Sequence, residues 1–175
     1  MLRGDLRHAP LDSLPRSPPH SPLLAAALLA GCDGGSSSND DLEVPTSAGD
    51  LFQWLSDGAY KTWDAESAPH ASSGPHGGGV RTFFNAPLVT SVANGNTEHP
   101  RDSATVKELY KTDTLSGWAV SVKTTAGAGG DAWYWYEVLS TTDGSNPVVD
   151  GNGVSVCVNC HADGTDHVLT PYPLQ

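Results

Sequence analysis

Five consecutive residues, Cys157-Val158-Asn159-Cys160-His161, constrain this chain more than any other feature of its 175 residues. Two cysteines three apart on one helical turn present both thiols on the same side. They can then reach the two vinyl groups of a porphyrin and bind it as thioethers. A histidine directly after the second thiol aims its imidazole at the iron from the proximal side. Cys-x-x-Cys-His is the pattern of c-type haem attachment. It leads to the expectation of one covalently held haem c, with Cys157 and Cys160 as its anchors and His161 as its iron ligand.

Three other uses of the same residues exist. A thioredoxin-like redox pair sits between a strand and a helix of a βαβ unit, whereas this motif lies near the C-terminal end of the chain. A zinc site could take both thiolates and His161 with His167 as fourth ligand, but the spacing of the second pair is not that of a finger. A plain disulfide leaves His161 without a role. One negative sharpens the haem reading. Met1 is the only methionine, so a processed chain has no thioether for the sixth position, and His/Met ligation of the electron-carrying type is excluded. The sixth position is expected to be open, with His70, His76, His99 and His167 as the remaining histidines that could fill it.

The beginning of the chain supports export. Arg3, Arg7 and Arg16 precede a wholly apolar run at 23–30, with five prolines between 10 and 22, and the run ends at Gly31-Cys32. That order is the layout of a secretory signal, and Leu29-Ala30-Gly31-Cys32 resembles a bacterial lipobox. Residues 1–31 are therefore expected to be a lipoprotein-type signal peptide and Cys32 the lipidated first residue. The apolar run is far shorter than the roughly 20 residues that span a bilayer. Haem attachment of this kind occurs outside the cytoplasm, so motif and leader agree on a periplasmic or cell-envelope protein, held to a membrane only through a lipid anchor.

Charge narrows the partners. The whole chain carries a formal −11, and the leader holds three arginines against Asp5 and Asp12, so processing leaves it more acidic still. Such a surface repels phosphate backbones, which excludes nucleic acid. A small-molecule ligand and a redox partner protein remain.

Residues 32–46 have the Gly/Ser/Asp bias of a flexible tether. The folded domain is expected over 47–175, opening with a helix capped by Thr46 or Ser47 that buries Leu51, Trp54 and Leu55. That helix frays after 60–63, and 64–79 reads as a long irregular loop. Strand patterns follow at 80–84, 105–111, 117–124 and 132–140, with a short helical turn at 87–93. In the last strand Trp133 and Trp135 face one side, and Tyr134 and Tyr136 the other. Short turns between consecutive strands imply antiparallel pairing. The expected fold class is α+β: a mainly antiparallel β-sheet with a few short helices in a single domain.

The strand motifs Val80-Arg81-Thr82-Phe83-Phe84-Asn85, Val106-Lys107-Glu108-Leu109-Tyr110, Gly117-Trp118-Ala119-Val120-Ser121-Val122-Lys123 and Trp133-Tyr134-Trp135-Tyr136-Glu137 lead in that order to the haem motif. Asp166-His167-Val168-Leu169 follows it. This succession resembles the cytochrome P-460 family, which includes cytochrome c prime beta, over roughly residues 52–174. The resemblance implies a five-coordinate haem and often a homodimer. It also implies one of two activities: oxidation of hydroxylamine, with a lysine cross-linked to the haem ring, or binding of nitric oxide or carbon monoxide without turnover.

For the cross-link, Lys107 and Lys123 lie on strands upstream of the motif, and Lys107 is preferred, although its face cannot be read from the alternation. For a distal acid that moves protons, Glu137 leads and Glu108 follows. Arg81 could neutralise a propionate, and Trp118, Trp133 and Trp135 belong to the core or the haem wall. Four functions follow: a haem-dependent oxidoreductase acting on hydroxylamine or nitric oxide, a gas-binding protein, a tethered electron carrier, or a disulfide- or zinc-stabilised module without haem.

Overall fold

The computed structural model describes residues 42–175. The expected signal peptide, Cys32 and the tether up to residue 41 lie outside them.

Seven strands form one antiparallel sheet: β1 (Asp64–Ala65), β2 (His70–Ala71), β3 (Gly79–Phe84), β4 (Ala104–Lys111), β5 (Thr114–Lys123), β6 (Trp133–Val138) and β7 (Val149–Asn152). Their order is β1-β3-β4-β5-β6-β7, with β2 also paired to β3. Three helices accompany them, α1 (Ala48–Ser56), α2 (Ala86–Ala93) and α3 (Ser155–His161). The fold is α+β, mostly sheet, as the strand patterns anticipated. β4 and β5 are joined by Thr112-Asp113, where Thr112 takes the left-handed conformation, φ 52°.

Alternation gives the sheet two apolar faces, and different elements cover them. On one face Phe83, Val106, Val120, Tyr134 and Tyr136 pack against Leu51, Phe52 and Leu55 of α1 and against Tyr60. On the other, Phe84, Trp133 and Trp135 pack with Leu88 of α2, Val168 and the flank of α3 around Cys157 and Val158. The Trp/Tyr division of β6 thus separates two half-cores. Burying large aromatics on both sides, at about 25 cal/mol per Å² of apolar surface, makes this strand the shared wall of both half-cores.

Local chemistry sets the ends of the elements. Asn85 caps α2: its Oδ1 accepts from Leu88 N–H at 3.3 Å and from Ala104 N–H at 2.9 Å, tying the helix start to β4. Ser47 stands at the N-cap of α1, but its hydroxyl donates to Asp50 instead of accepting from the backbone.

Two boundaries differ from expectation. Packing begins before 47, because Val44 is fully buried and Leu42 packs against the same core. The stretch 64–79 is not wholly irregular: β1 and β2 lie along the free edge of β3, Asp64 opposite Phe84 and His70 opposite Val80. Such short pairings follow from an available sheet edge, which no local pattern reveals.

Candidate haem-binding site

α3 places the motif. Cys157 and Cys160 are both free thiols, the first half-buried and the second exposed. Burial, with Glu137 and Cys160 nearby, pushes the Cys157 thiol up to about 11. That is the reverse of a catalytic redox thiol, which needs a lowered pKa. Gly130 packs directly beneath the motif, since a Cβ there would lie 2.3 Å from Val158 Cγ1.

His161 ends α3, and the backbone sets its tautomer. Its Nδ1 donates to the carbonyl oxygen of His167 at 2.8 Å, because a carbonyl can only accept. The proton therefore resides on Nδ1, and the Nε2 lone pair is left for a metal. Burial holds the His161 pKa below its ordinary value against the pull of that hydrogen bond, which keeps the ring neutral. The ring rests on Trp135, centroids 4.8 Å apart.

The turn that supplies this carbonyl is itself anchored. Asp166 and His167 both have positive φ, 44° and 67°. The Asp166 carboxylate accepts from Lys123 Nζ at 2.5 Å and from His99 N–H at 2.8 Å. Burial alone would raise the Asp166 pKa, but these donors outweigh it and hold the carboxyl below the usual range.

Between α3, residues 167–171 and the sheet lies a cavity of about 530 Å³, within the roughly 300–1,000 Å³ of cofactor sites. Its floor is two cross-strand rows. Thr82, Lys107, Ala119, Glu137 and Val149 form one, and Thr105, Ser121 and Trp135 the next. Ala119 separates Lys107 from Glu137, so both polar side chains flank a shallow strip. Burial lowers the Lys107 pKa despite the nearby carboxylates of Glu66 and Glu137.

The residues present fit a haem. Both thiols and the metal-ready imidazole line the same cavity. Two buried ring nitrogens on its wall, Trp135 Nε1 and His167 Nδ1, have no hydrogen-bond partner within the protein, and buried polar atoms are ordinarily paired. Val156 and Leu169, 61% and 48% exposed, also line it, an apolar rim suited to a flat apolar ring. Among the described residues, no three His, Cys, Asp or Glu side chains converge to hold a metal without such a ring.

Cys157, Cys160, His161, Lys107 and Glu137 are thus brought together. Other candidates fall elsewhere. Lys123 is fully buried in its ion pair with Asp166. Glu108, one residue from Lys107, faces the α1 side, where it accepts from Tyr60 OH at 2.7 Å, Tyr110 OH at 2.6 Å and Lys61 Nζ. Arg81 is on that side too, over the Phe83 ring and bonded to the Glu66 carbonyl. Trp118 donates to Tyr60 there, at 2.8 Å. Strand alternation removes all three from the cavity.

His99 is bonded through both ring nitrogens, to Ser91 Oγ and the Thr165 carbonyl. Missed by the sequence reading were Glu66, which lines the cavity, and the pairing of His76 Nδ1 with Glu137 Oε1 at 3.2 Å. Contacts across 61 residues leave no local trace. In comparison with known proteins, no family model matches the chain and no curated protein matches it.

Proposed function

We propose that this protein is an exported mono-haem c-type cytochrome that performs redox chemistry on small nitrogen species, hydroxylamine or nitric oxide. The observation that carries the reading is convergence: two thiols, an imidazole with Nδ1 already tied, a lysine and a carboxylate line one cavity. The bound haem would supply the electron-accepting iron.

The chain's own residues do the rest. Cys157 and Cys160 would hold the ring covalently, and His161 Nε2 would hold the metal. The His167 carbonyl makes His161 a stronger donor at Nε2 by accepting a hydrogen bond from its Nδ1–H. Oxidation of hydroxylamine releases protons with electrons, and the Glu137 carboxylate is the base on the cavity floor that takes them. Among the described residues, Lys107 is the only lysine on the cavity wall, and burial lowers its pKa from the ordinary lysine value. It stands where the lysine of the hydroxylamine-oxidising branch of the P-460 family would carry its additional bond to the haem ring; that bond replaces an N–H and a ring C–H, so its formation would need a two-electron oxidant such as peroxide. Electrons leave to a redox partner protein, and the leader and Cys32 place the domain at the cell envelope.

The test is an absorption spectrum of the holoprotein, ferric and ferrous, with mass spectrometry of its haem peptides. The expected results are a peptide joining Lys107 to the haem of Cys157 and Cys160, and reduction of the ferric protein by hydroxylamine. Haem peptides without lysine, from a protein that hydroxylamine leaves ferric, would reject turnover and select ligand binding instead.

A further inference from the structure

His76 stands on the loop between β2 and β3, and its ring centre lies 6.4 Å from that of His161, with the planes at 70°. This separation is informative. With each metal–nitrogen bond about 2 Å long, and each nitrogen about 1.1 Å from its ring centre, two imidazoles on opposite sides of one metal ion hold their centres roughly 6.3 Å apart, against about 5 Å for two ligands of a tetrahedral ion. Neither ring is hydrogen-bonded to the other. Each has its Nδ1 engaged elsewhere, His161 with the His167 carbonyl and His76 with Glu137 Oε1. Each therefore keeps Nε2 free. A carboxylate behind a histidine is the usual outer partner of a metal ligand, fixing tautomer and orientation. The pair is well sheltered, the side chains of His76 and Glu137 being 18% and 19% exposed.

We propose that His76 is the resting axial ligand on the face of the iron opposite His161. Its Nε2 lone pair donates to the metal while Nδ1–H remains on Glu137, so no proton or electron is exchanged on binding. The proposal rests on the haem reading of Cys157–His161 and not on the nitrogen chemistry, which it deepens: a substrate or gas must displace His76 to reach the iron.

Among the described residues, His70 and His167 are the other histidines on the cavity wall. His70 lines the cavity but has Nε2 on Glu66 and Nδ1 on the Ala71 carbonyl. His167 belongs to the turn that grips His161 from behind. The loop suits exchange, because Ser72-Ser73-Gly74-Pro75-His76-Gly77-Gly78 is largely exposed, and side chains added at Gly74 or Gly77 would meet nothing within 4 Å.

The experiment is electron paramagnetic resonance and absorption spectroscopy of ferric holoprotein, made in a host that matures c-type haem. Wild type is expected to be six-coordinate and low-spin. His76→Ala is expected to become high-spin, to return to low-spin with added imidazole, and to bind cyanide at least about tenfold more tightly, since the competent state is no longer depleted. His76→Met is expected to remain low-spin with a raised reduction potential, the known effect of a thioether ligand. His70→Ala is expected to change none of these. A high-spin wild type with haem attached would overturn the proposal and leave the haem reading standing. So would a His76→Ala variant that stays low-spin, which would assign the position to Lys107 or another group. A colourless protein would overturn the haem reading itself.

Discussion

Lys123 and Asp166 form an ion pair whose side chains are both 0% exposed, one residue before the carbonyl that holds His161. Asp166 also accepts from His99 N–H and from Trp133 Nε1, at 2.8 and 3.4 Å. A single carboxylate thus ties the end of β5, the segment before β4 and the front of β6 to the turn behind the His161 imidazole. The pair connects the sheet's stability to the orientation of His161.

Asp166→Asn is therefore expected to act on both. Leaving the Lys123 ammonium buried without its counter-charge costs about 3–5 kcal/mol, read as a lower urea midpoint of the holoprotein at an unchanged m-value. The pH dependence has a definite sign. The folded carboxyl titrates below its unfolded value of about 3.9, so its contribution is complete above that pH and disappears as pH falls through the folded pKa. Wild type should lose stability progressively below about pH 4, and the variant should show a shallower acid limb. An equal acid limb in both proteins would show that Asp166 is not coupled to folding.

Gly130→Ala tests how closely the motif helix sits on the sheet. The new methyl would lie 2.3 and 2.4 Å from the two Cγ atoms of Val158, between Cys157 and Cys160. Valine is stiff at χ1 and cannot turn away, so α3 must shift, at an overpacking cost of about 1–3 kcal/mol. A lower haem-to-protein ratio after expression is expected. Val158→Ala added to Gly130→Ala removes both Cγ atoms, leaves only the Val158 Cβ at 2.9 Å, and should restore most of the ratio; no recovery at all would show that α3 is not held by this contact.

Tyr60→Phe separates stability from the site. The phenol donates to Glu108 and accepts from Trp118 Nε1 in the α1-side core. Removing it leaves the indole N–H without its acceptor, at about 1–3 kcal/mol. Thermal unfolding should shift down by several degrees, while the ferric spectrum and any ligand affinity stay unchanged. A spectral change would contradict the separation of the two faces.

Much of this organisation is legible without coordinates, because it is written in local spacing. The Cys-x-x-Cys-His pentad puts two thiols on one helical turn wherever the helix goes. Two-residue alternation in Trp133-Tyr134-Trp135-Tyr136 divides the strand's faces, and short turns between strand patterns demand antiparallel pairing. β7 escaped because Val149-Asp150-Gly151-Asn152 carries the residues strands usually avoid; it exists because β6 offers an edge.

What tertiary structure alone decided is which side of the sheet takes the cavity, and what meets inside it. Lys107 and Glu108 are neighbours with opposite fates, one on the cavity floor and one in the α1-side core, because α3 packs on one face and α1 on the other. His76 reaches Glu137 and His161 through loop closure and strand register, and the His167 carbonyl reaches His161 through a turn pinned by Lys123. Covalent spacing determines what a short segment can present. Only packing between distant segments, which depends on the whole chain at once, determines what each presented group will face.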